Sequence, residues 1–214
     1  MLQAVIFDMD GVISDTQKLH SQVESQLLAR YGIHFSPDEI TATYAGVRTR
    51  DFFAELLAQQ SLPYDLDTVL DEKRSLMLDL AQQWVQEIPW SVALLQRLAA
   101  QNISLAVASS SNKPYVMTVL DALHVTSYFS VIVTWDSVEH GKPDPECYLL
   151  AAKLLGVEPG QCVVIEDAVN GMQAAKAAGM QCIWLVEDTT KDYPTPHLVA
   201  SLDAITDTYL RALL

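Results

Sequence analysis

The run Ala4-Val5-Ile6-Phe7, ending in Asp8-Met9-Asp10-Gly11, decides how the rest of the chain is read. A short apolar run without alternation is the pattern of a strand covered on both faces, as in a parallel sheet. In such sheets ligands bind outside the carboxyl ends of the strands, where loops and helix N-termini converge. Asp8 therefore stands at the chemically useful edge. Asp8 and Asp10 are two residues apart and would share one side of a regular strand, with Gly11 marking the start of a turn. Like charges this close resist joint ionisation, so the pair implies either a raised pKa or a bound cation. The plainer reading is an ordinary surface turn, for which Asp and Gly are common. A calcium loop does not fit, because the Gly comes too early and Val12 stands where that loop wants Asp or Asn.

Around this run lies a chain of 214 residues that is 50% hydrophobic, enough to bury a substantial core. Its net charge of -14 argues against a nucleic-acid partner, so an anionic substrate would have to be met by locally placed cations. Asp8 and Asp10 interrupt the first apolar run, which removes the signal-peptide pattern, and no apolar stretch is long enough to span a bilayer. The cysteines Cys147, Cys162 and Cys182 are far apart and odd in number, so neither a disulfide framework nor a zinc ribbon is indicated. A cytoplasmic location is expected, with Cys162 and Cys182 as buried small hydrophobes. Nothing implies a partner chain, and a monomer is expected.

After the first strand the pattern turns helical. Leu19, Val23, Leu27 and Leu28 recur at helical spacing before Gly32; Ser36, Pro37 and Glu39 form a capping-box start; Phe52 to Leu57 and Asp67 to about Val85 continue in helix, with a break at Gly46. No β-rich run occurs between Thr16 and Gln86. From Trp90 onward strands and helices alternate: strands over Ile103–Ala108, Val131–Val133, Cys162–Ile165 and Cys182–Val186, and helices over Val116–Leu123, Tyr148–Leu155 and Val169–Ala178. Such alternation implies crossover units and a mostly parallel sheet, to which the first strand must belong. The expected fold is α/β, a Rossmann-like parallel core with an inserted all-helical domain that acts as a lid over the strand ends.

Three polar clusters follow the core strands. Ala106 to Ala108 end in Ser109, Ser110, Ser111 and Asn112, hydroxyls and amides suited to a phosphate, although capping of the next helix would also explain Ser111 or Asn112. Gly141, Lys142, Pro143, Asp144 and Pro145 precede a helix; Lys142 is either a solvated surface lysine or, held between turns, a point charge for a phosphoryl group. Val163 to Ile165 run into Glu166 and Asp167, acids that are costly at the end of a buried strand unless a cation meets them. Mg²⁺, a hard cation that bridges carboxylates and phosphate oxygens, would serve, while Asp167 as a helix N-cap is the plainer reading.

Taken together, FDMDGVISDT, VASSS, GKPDPE and VIEDAVNG resemble, in order, the four motifs of the haloacid dehalogenase (HAD) superfamily. The resemblance covers nearly the whole chain and points to the branch with a small helical cap, which includes β-phosphoglucomutases and sugar-phosphate phosphatases. It implies a core of residues 1–14 and 88–214 and a cap of 15–87. It also implies that Asp8 is a nucleophile forming an aspartyl-phosphate and Asp10 the general acid and base. Ser109, Ser110, Asn112 and Lys142 would meet the phosphoryl group, and Mg²⁺ would be held by Asp8, the Asp10 carbonyl, Glu166 and Asp167.

In the cap, His20 and the Gly46-Val47 pair match β-phosphoglucomutases, but the arginine those enzymes carry two residues after the valine is Thr49 here, flanked by Arg48 and Arg50. Arg48 would have to replace it as an anion clamp; Lys73 and Arg74 are further cap cations. The expectation is a Mg²⁺-dependent phosphatase of a small phosphorylated metabolite, in particular a sugar phosphate. β-Phosphoglucomutase is the alternative. A signalling module resembling response-regulator receivers is the alternative of another class, and the general acid Asp10 argues against it, because a receiver needs a long-lived acyl phosphate.

Overall fold

The computed structural model describes residues 2–44, 49–59, 65–186, 189–190, 195 and 197–213. The chain resolves into two compact units, one of Met1–Asp15 with Gln86–Leu214 and the other of Thr16–Val85. The opening run is β1 (Ala4–Phe7), with every residue fully buried.

The second unit is helical among its described residues: α1 (Thr16–Arg30), α2 (Pro37–Tyr44), α3 (Thr49–Gln59) and α4 (Leu66–Trp84). The helical spacing read from Leu19, Val23, Leu27 and Leu28 corresponds to a fully buried stripe of α1. Phe52, Phe53, Val69, Leu76, Met77 and Ala81 line the same unit's interior. At the start of α2 the Glu39 carboxylate accepts from the Ser36 N–H at 2.8 Å, and Ser36 Oγ accepts from the Glu39 N–H at 3.2 Å, a reciprocal capping box. α1 begins at Thr16 rather than Ser14, because Ser14 is held in the loop after β1: its N–H reaches the Met9 carbonyl at 3.0 Å and it bridges to both Asp10 and Glu87.

The first unit adds α5 (Ser91–Ala100), β2 (Ser104–Ala108), α6 (Lys113–Ala122), β3 (Val131–Val133), α7 (Glu146–Leu155), β4 (Cys162–Glu166), α8 (Val169–Ala177), β5 (Gln181–Leu185), β6 (Leu198–Val199) and α9 (Asp207–Arg211). The described strands form a six-stranded sheet in the order β3-β2-β1-β4-β5-β6, every neighbouring pair parallel. This is the Rossmann-like α/β core. β1 is central, with a strand on each side, which is why it carries no polar position. One face of the sheet packs Ala4, Ile6, Ala106, Ala108 and Val164 against Tyr148, Ala151 and Ala152 of α7 and Met172, Ala174 and Ala175 of α8.

The register aligns the carboxyl ends. Phe7 pairs with Val107 on one side and Ile165 on the other, and Ala108 pairs with Val133. The Asp8 N–H continues the ladder to the Ile165 carbonyl at 3.0 Å, as the Ser109 N–H does to Val133 at 3.0 Å. Beyond β3 the chain crosses to the other side of β1 before β4, so the sheet order reverses beside β1, where open α/β sheets place ligands. α5, β6 and α9 were not anticipated from the pattern. α5 starts from Trp90, in the left-handed region at φ 73° and without a side-chain cap of its own, and Glu87 Oε2 accepts from the Val92 N–H at 3.1 Å instead. Cys147, Cys162 and Cys182 are free and buried, and burial pushes their thiols up to about 11, 11 and 12. No described helix is long and apolar enough to cross a membrane.

Candidate active site

The aligned strand ends collect charge. Lys142 arrives from the segment between β3 and α7 and sets its ammonium 2.5 Å from Asp8 Oδ1, 2.7 Å from Glu166 Oε1 and 3.0 Å from the Ala108 carbonyl. All three protons of the ammonium are thereby used. Beneath it lies the ring of Tyr148, its centroid 4.9 Å from Nζ. Burial alone would lower the Lys142 pKa, but the charges of Asp8 and Glu166 outweigh it and hold the ammonium above its ordinary value. The Asp8 carboxyl is held well above the usual range, by burial first, with Glu166 and Asp10 adding to the rise and Lys142 opposing it.

Glu166 is 1% exposed and held from every side. Its Oε1 accepts from Lys142 and, at 2.8 Å, from the Tyr148 hydroxyl; its Oε2 accepts the N–H groups of Asp167 and Ala168, each at 2.9 Å. A carboxylate has about four lone-pair directions, so both oxygens are fully engaged. Gly171 backs them: a Cβ there would stand 1.5 Å from Oε1.

Asp10 sits just before the turn that opens at Gly11, bridged to Ser14. Ser111 Oγ donates to Asp10 Oδ2 at 3.0 Å and Ser109 Oγ approaches the same oxygen at 3.5 Å, while the Ser111 N–H donates to Ser109 Oγ at 3.0 Å. Gly11, at φ 83°, brings the loop against Asp167, so that a Cβ would lie 2.0 Å from Asp167 Oδ2. Asp167 as a whole residue is exposed, yet loss of solvation at its carboxyl, then the Glu166 charge, push it up to about 7.

Asp8, Glu166 and Asp167 offer oxygens all within 4.8 Å of one another. Hard oxygen donors this close together, with the Asp8 and Asp167 carboxyls both held above their ordinary range, fit a divalent cation such as Mg²⁺, which would relieve the repulsion.

Of the residues singled out in the sequence, Asp8, Asp10, Ser109, Lys142, Glu166 and Asp167 meet at this edge. Ser110 is exposed between its two inward neighbours. Asn112 turns its side-chain oxygen onto the Tyr115 N–H at 3.0 Å as the cap of α6, so its amide oxygen serves the helix. His20 belongs to the helical unit, where its Nδ1 lies 3.1 Å from Lys73 Nζ. Gly46, Val47 and Arg48 lie outside the described residues. In the sequence Ser111 reads only as part of the serine run or as a helix cap, Gly171 only as the end of the VIEDAVNG motif, and Tyr148 has no role. The spacing of two places Ser111 on the side of Ser109 but does not assign it to Asp10; Tyr148, at an apolar helical position, carries no signal beyond core packing.

The sequence profile of the haloacid dehalogenase-like hydrolases matches residues 5–185, from β1 through β5. The chain belongs to this family. This haloacid dehalogenase-like hydrolase is similar to the phosphorylated carbohydrates phosphatase of Thermotoga maritima, 33% identical over 195 residues that span 89% of this chain and 88% of the relative. It is likewise similar to the fructose-1-phosphate phosphatase YqaB of Escherichia coli, 31% identical over 191 residues, 84% of this chain and 94% of the relative. Among solved structures, the β-phosphoglucomutase of Clostridium difficile superimposes with a TM-score of 0.74 at 25% identity, covering 100% of this chain and 97% of that one. The hydrolase is thus a phosphomonoesterase.

Proposed function

We propose that the protein hydrolyses the phosphomonoester of a small phosphorylated sugar through a covalent intermediate on Asp8. The observation that carries this reading is the pair of differently held carboxylates at one sheet edge, Asp8 under Lys142 and Asp10 under Ser111 and Ser109. Two acids with separate partners are suited to separate tasks, one as nucleophile and one as proton carrier.

In the first step an Asp8 oxygen forms a bond to phosphorus as the bond to the sugar oxygen breaks, and protonated Asp10 gives its proton to that oxygen. In the second, Asp10 takes a proton from water as the water oxygen attacks phosphorus, releasing inorganic phosphate and restoring Asp8. Lys142 and Ser109 hold phosphoryl oxygens, with Ser111 keeping Asp10 in place; positioning and charge neutralisation are what phosphoryl transfer requires of a protein. Mg²⁺, when bound, neutralises charge on the phosphoryl group. Asp8, the Asp10 carbonyl, Glu166 and Asp167 would hold it, and because both Glu166 oxygens are already engaged, Asp8 and Asp167 carry the larger share.

Three described cations of the helical unit favour a substrate with one phosphate, while Arg48 lies outside the described residues. A mutase intermediate carries two phosphates and needs a cation to meet the second. Lys73 is bound within the unit to Glu24 at 2.6 Å, His20 and Thr49, Arg50 is paired with Asp67 at 2.8 Å, and Arg74 is paired with Asp71. Each of these three charges is already compensated. A phosphate-release screen over sugar phosphates with Mg²⁺, run beside a coupled assay for conversion of β-glucose 1-phosphate to glucose 6-phosphate, tests the reading. Release without isomerisation is expected; isomerisation with little release would overturn it.

A further inference from the structure

Tyr148 is fully buried on α7, yet both of its chemical handles point at groups of the site rather than at the apolar core around it. The hydroxyl donates to Glu166 Oε1 at 2.8 Å, and the ring lies under the Lys142 ammonium at 4.9 Å. Lys142 donates to the same oxygen, Oε1, at 2.7 Å. One glutamate oxygen is therefore shared between the phenol and the ammonium that reaches Asp8, while the other is fixed by the start of α8. We infer that Tyr148 is a positioning residue for phosphoryl transfer: its hydroxyl and ring fix the Glu166–Lys142 pair in the one arrangement that presents the ammonium to Asp8.

The electrostatic logic is that of a shared acceptor. With the phenol in place, part of the Oε1 charge is spent on Tyr148, and the hold of Glu166 on Lys142 is correspondingly weaker. The ammonium, whose protons are all engaged at rest, can then turn one N–H from Glu166 toward a phosphoryl oxygen while keeping its charge. Without the hydroxyl, Glu166 claims Lys142 for itself. A benzyl ring retains the contact under Nζ, so the two handles separate by substitution.

The inference rests on the phosphoryl-transfer reading, and the test keeps the two apart. Wild type, Tyr148→Phe, Glu166→Gln and the double variant are compared on p-nitrophenyl phosphate with saturating Mg²⁺, with thermal melts alongside. Tyr148→Phe is expected to lower kcat about tenfold, the factor a single charge-assisted hydrogen bond supplies, with KM unchanged. In the Glu166→Gln background, which removes the charge the phenol acts through, the same substitution should cost nothing further. Glu166→Asp, which draws the carboxylate back from an intact Tyr148, is the second variant and should also lower kcat at constant KM. A wild-type kcat in Tyr148→Phe, or a loss that persists unchanged beside Glu166→Gln, overturns the positioning role alone. A wild-type protein that releases no phosphate overturns the reading and the inference together.

Discussion

Lys142 Nζ lies 2.5 Å from Asp8 Oδ1 although 134 residues separate them in the chain. The contact exists because β1 and β4 end in register and the segment before α7 is laid across those ends. It sets both charges of the reaction centre: the ammonium is held charged by Asp8 and Glu166, and Asp8 is kept from rising further only by the ammonium.

Lys142→Met should therefore do more than remove a phosphate contact. It strands two buried carboxylates without a counter-charge, and breaking such a pair costs about 3 to 5 kcal/mol of stability. Turnover should fall by more than a hundredfold, with a matching drop in the denaturant midpoint at neutral pH. Lys142→Arg should not restore turnover, because a planar fork cannot replace a point charge that serves three acceptors.

Asp10→Asn separates the two carboxylate roles. The proposed acid matters most when the leaving oxygen is basic, so turnover of a sugar phosphate should fall by about 10² to 10⁴. With p-nitrophenyl phosphate, whose leaving group departs unaided, an initial burst of p-nitrophenol equal to the enzyme concentration should survive. Equal losses on both substrates would remove Asp10 from the acid role.

Gly171→Ala would drive a methyl into Glu166, since the Cβ position lies 1.5 Å from Oε1. Because α8 would have to shift on a packed sheet, the expected cost is about 1 to 3 kcal/mol, read as a lowered melting temperature together with lowered kcat. A fully active, fully stable alanine variant would show that the carboxylate is free to move.

Within the helical unit the Glu24–Lys73 pair is buried, with side-chain exposures of 12% and 6%. Removing one partner, as in Glu24→Leu, should destabilise by about 3 kcal/mol, whereas the Glu24→Leu and Lys73→Met double variant should recover most of that loss, because a well-packed apolar pair avoids the desolvation cost. Denaturant unfolding of the four proteins checks this as a cycle.

His20, beside that pair, adds a pH dependence to the unit. Burial first, and Lys73 second, lower its pKa from 6.5 to about 3. A depressed histidine binds its proton in the unfolded chain before the folded one does, so its contribution is fully present above pH 6.5 and is lost as pH falls from 6.5 toward about 3. The wild type should lose stability across that window, by an amount on the order of 4 kcal/mol at its lower end. His20→Gln should flatten this slope.

Much of the core was legible because its signals are local. Unalternating apolar runs ending in acids, serines or a GKP segment mark the ends of parallel strands, and parallel strands in one sheet must bring those ends together. The cap box at Ser36 and Glu39 was legible for the same reason. Tyr148 was not, since an aromatic at a core position of α7 reads as packing until coordinates show where its hydroxyl points. In the SSSN run, serine and asparagine both cap helices and both bind anions, so only geometry could give the cap to Asn112 and the contact with Asp10 to Ser111. Lys73 read as an available cation because its partners come from three other places, His20, Thr49 and Glu24, that no short window connects.

The central claim is a covalent bond to Asp8, and chemical trapping tests it most directly. The wild-type enzyme is mixed with Mg²⁺ and p-nitrophenyl phosphate, quenched in acid, reduced with borohydride and analysed by peptide mass spectrometry. An acyl phosphate on Asp8 predicts conversion of that one side chain to homoserine, dependent on substrate and absent in Asp8→Asn. Steady phosphate release with position 8 unmodified, or with the label on Asp10 or Asp167, would contradict the account.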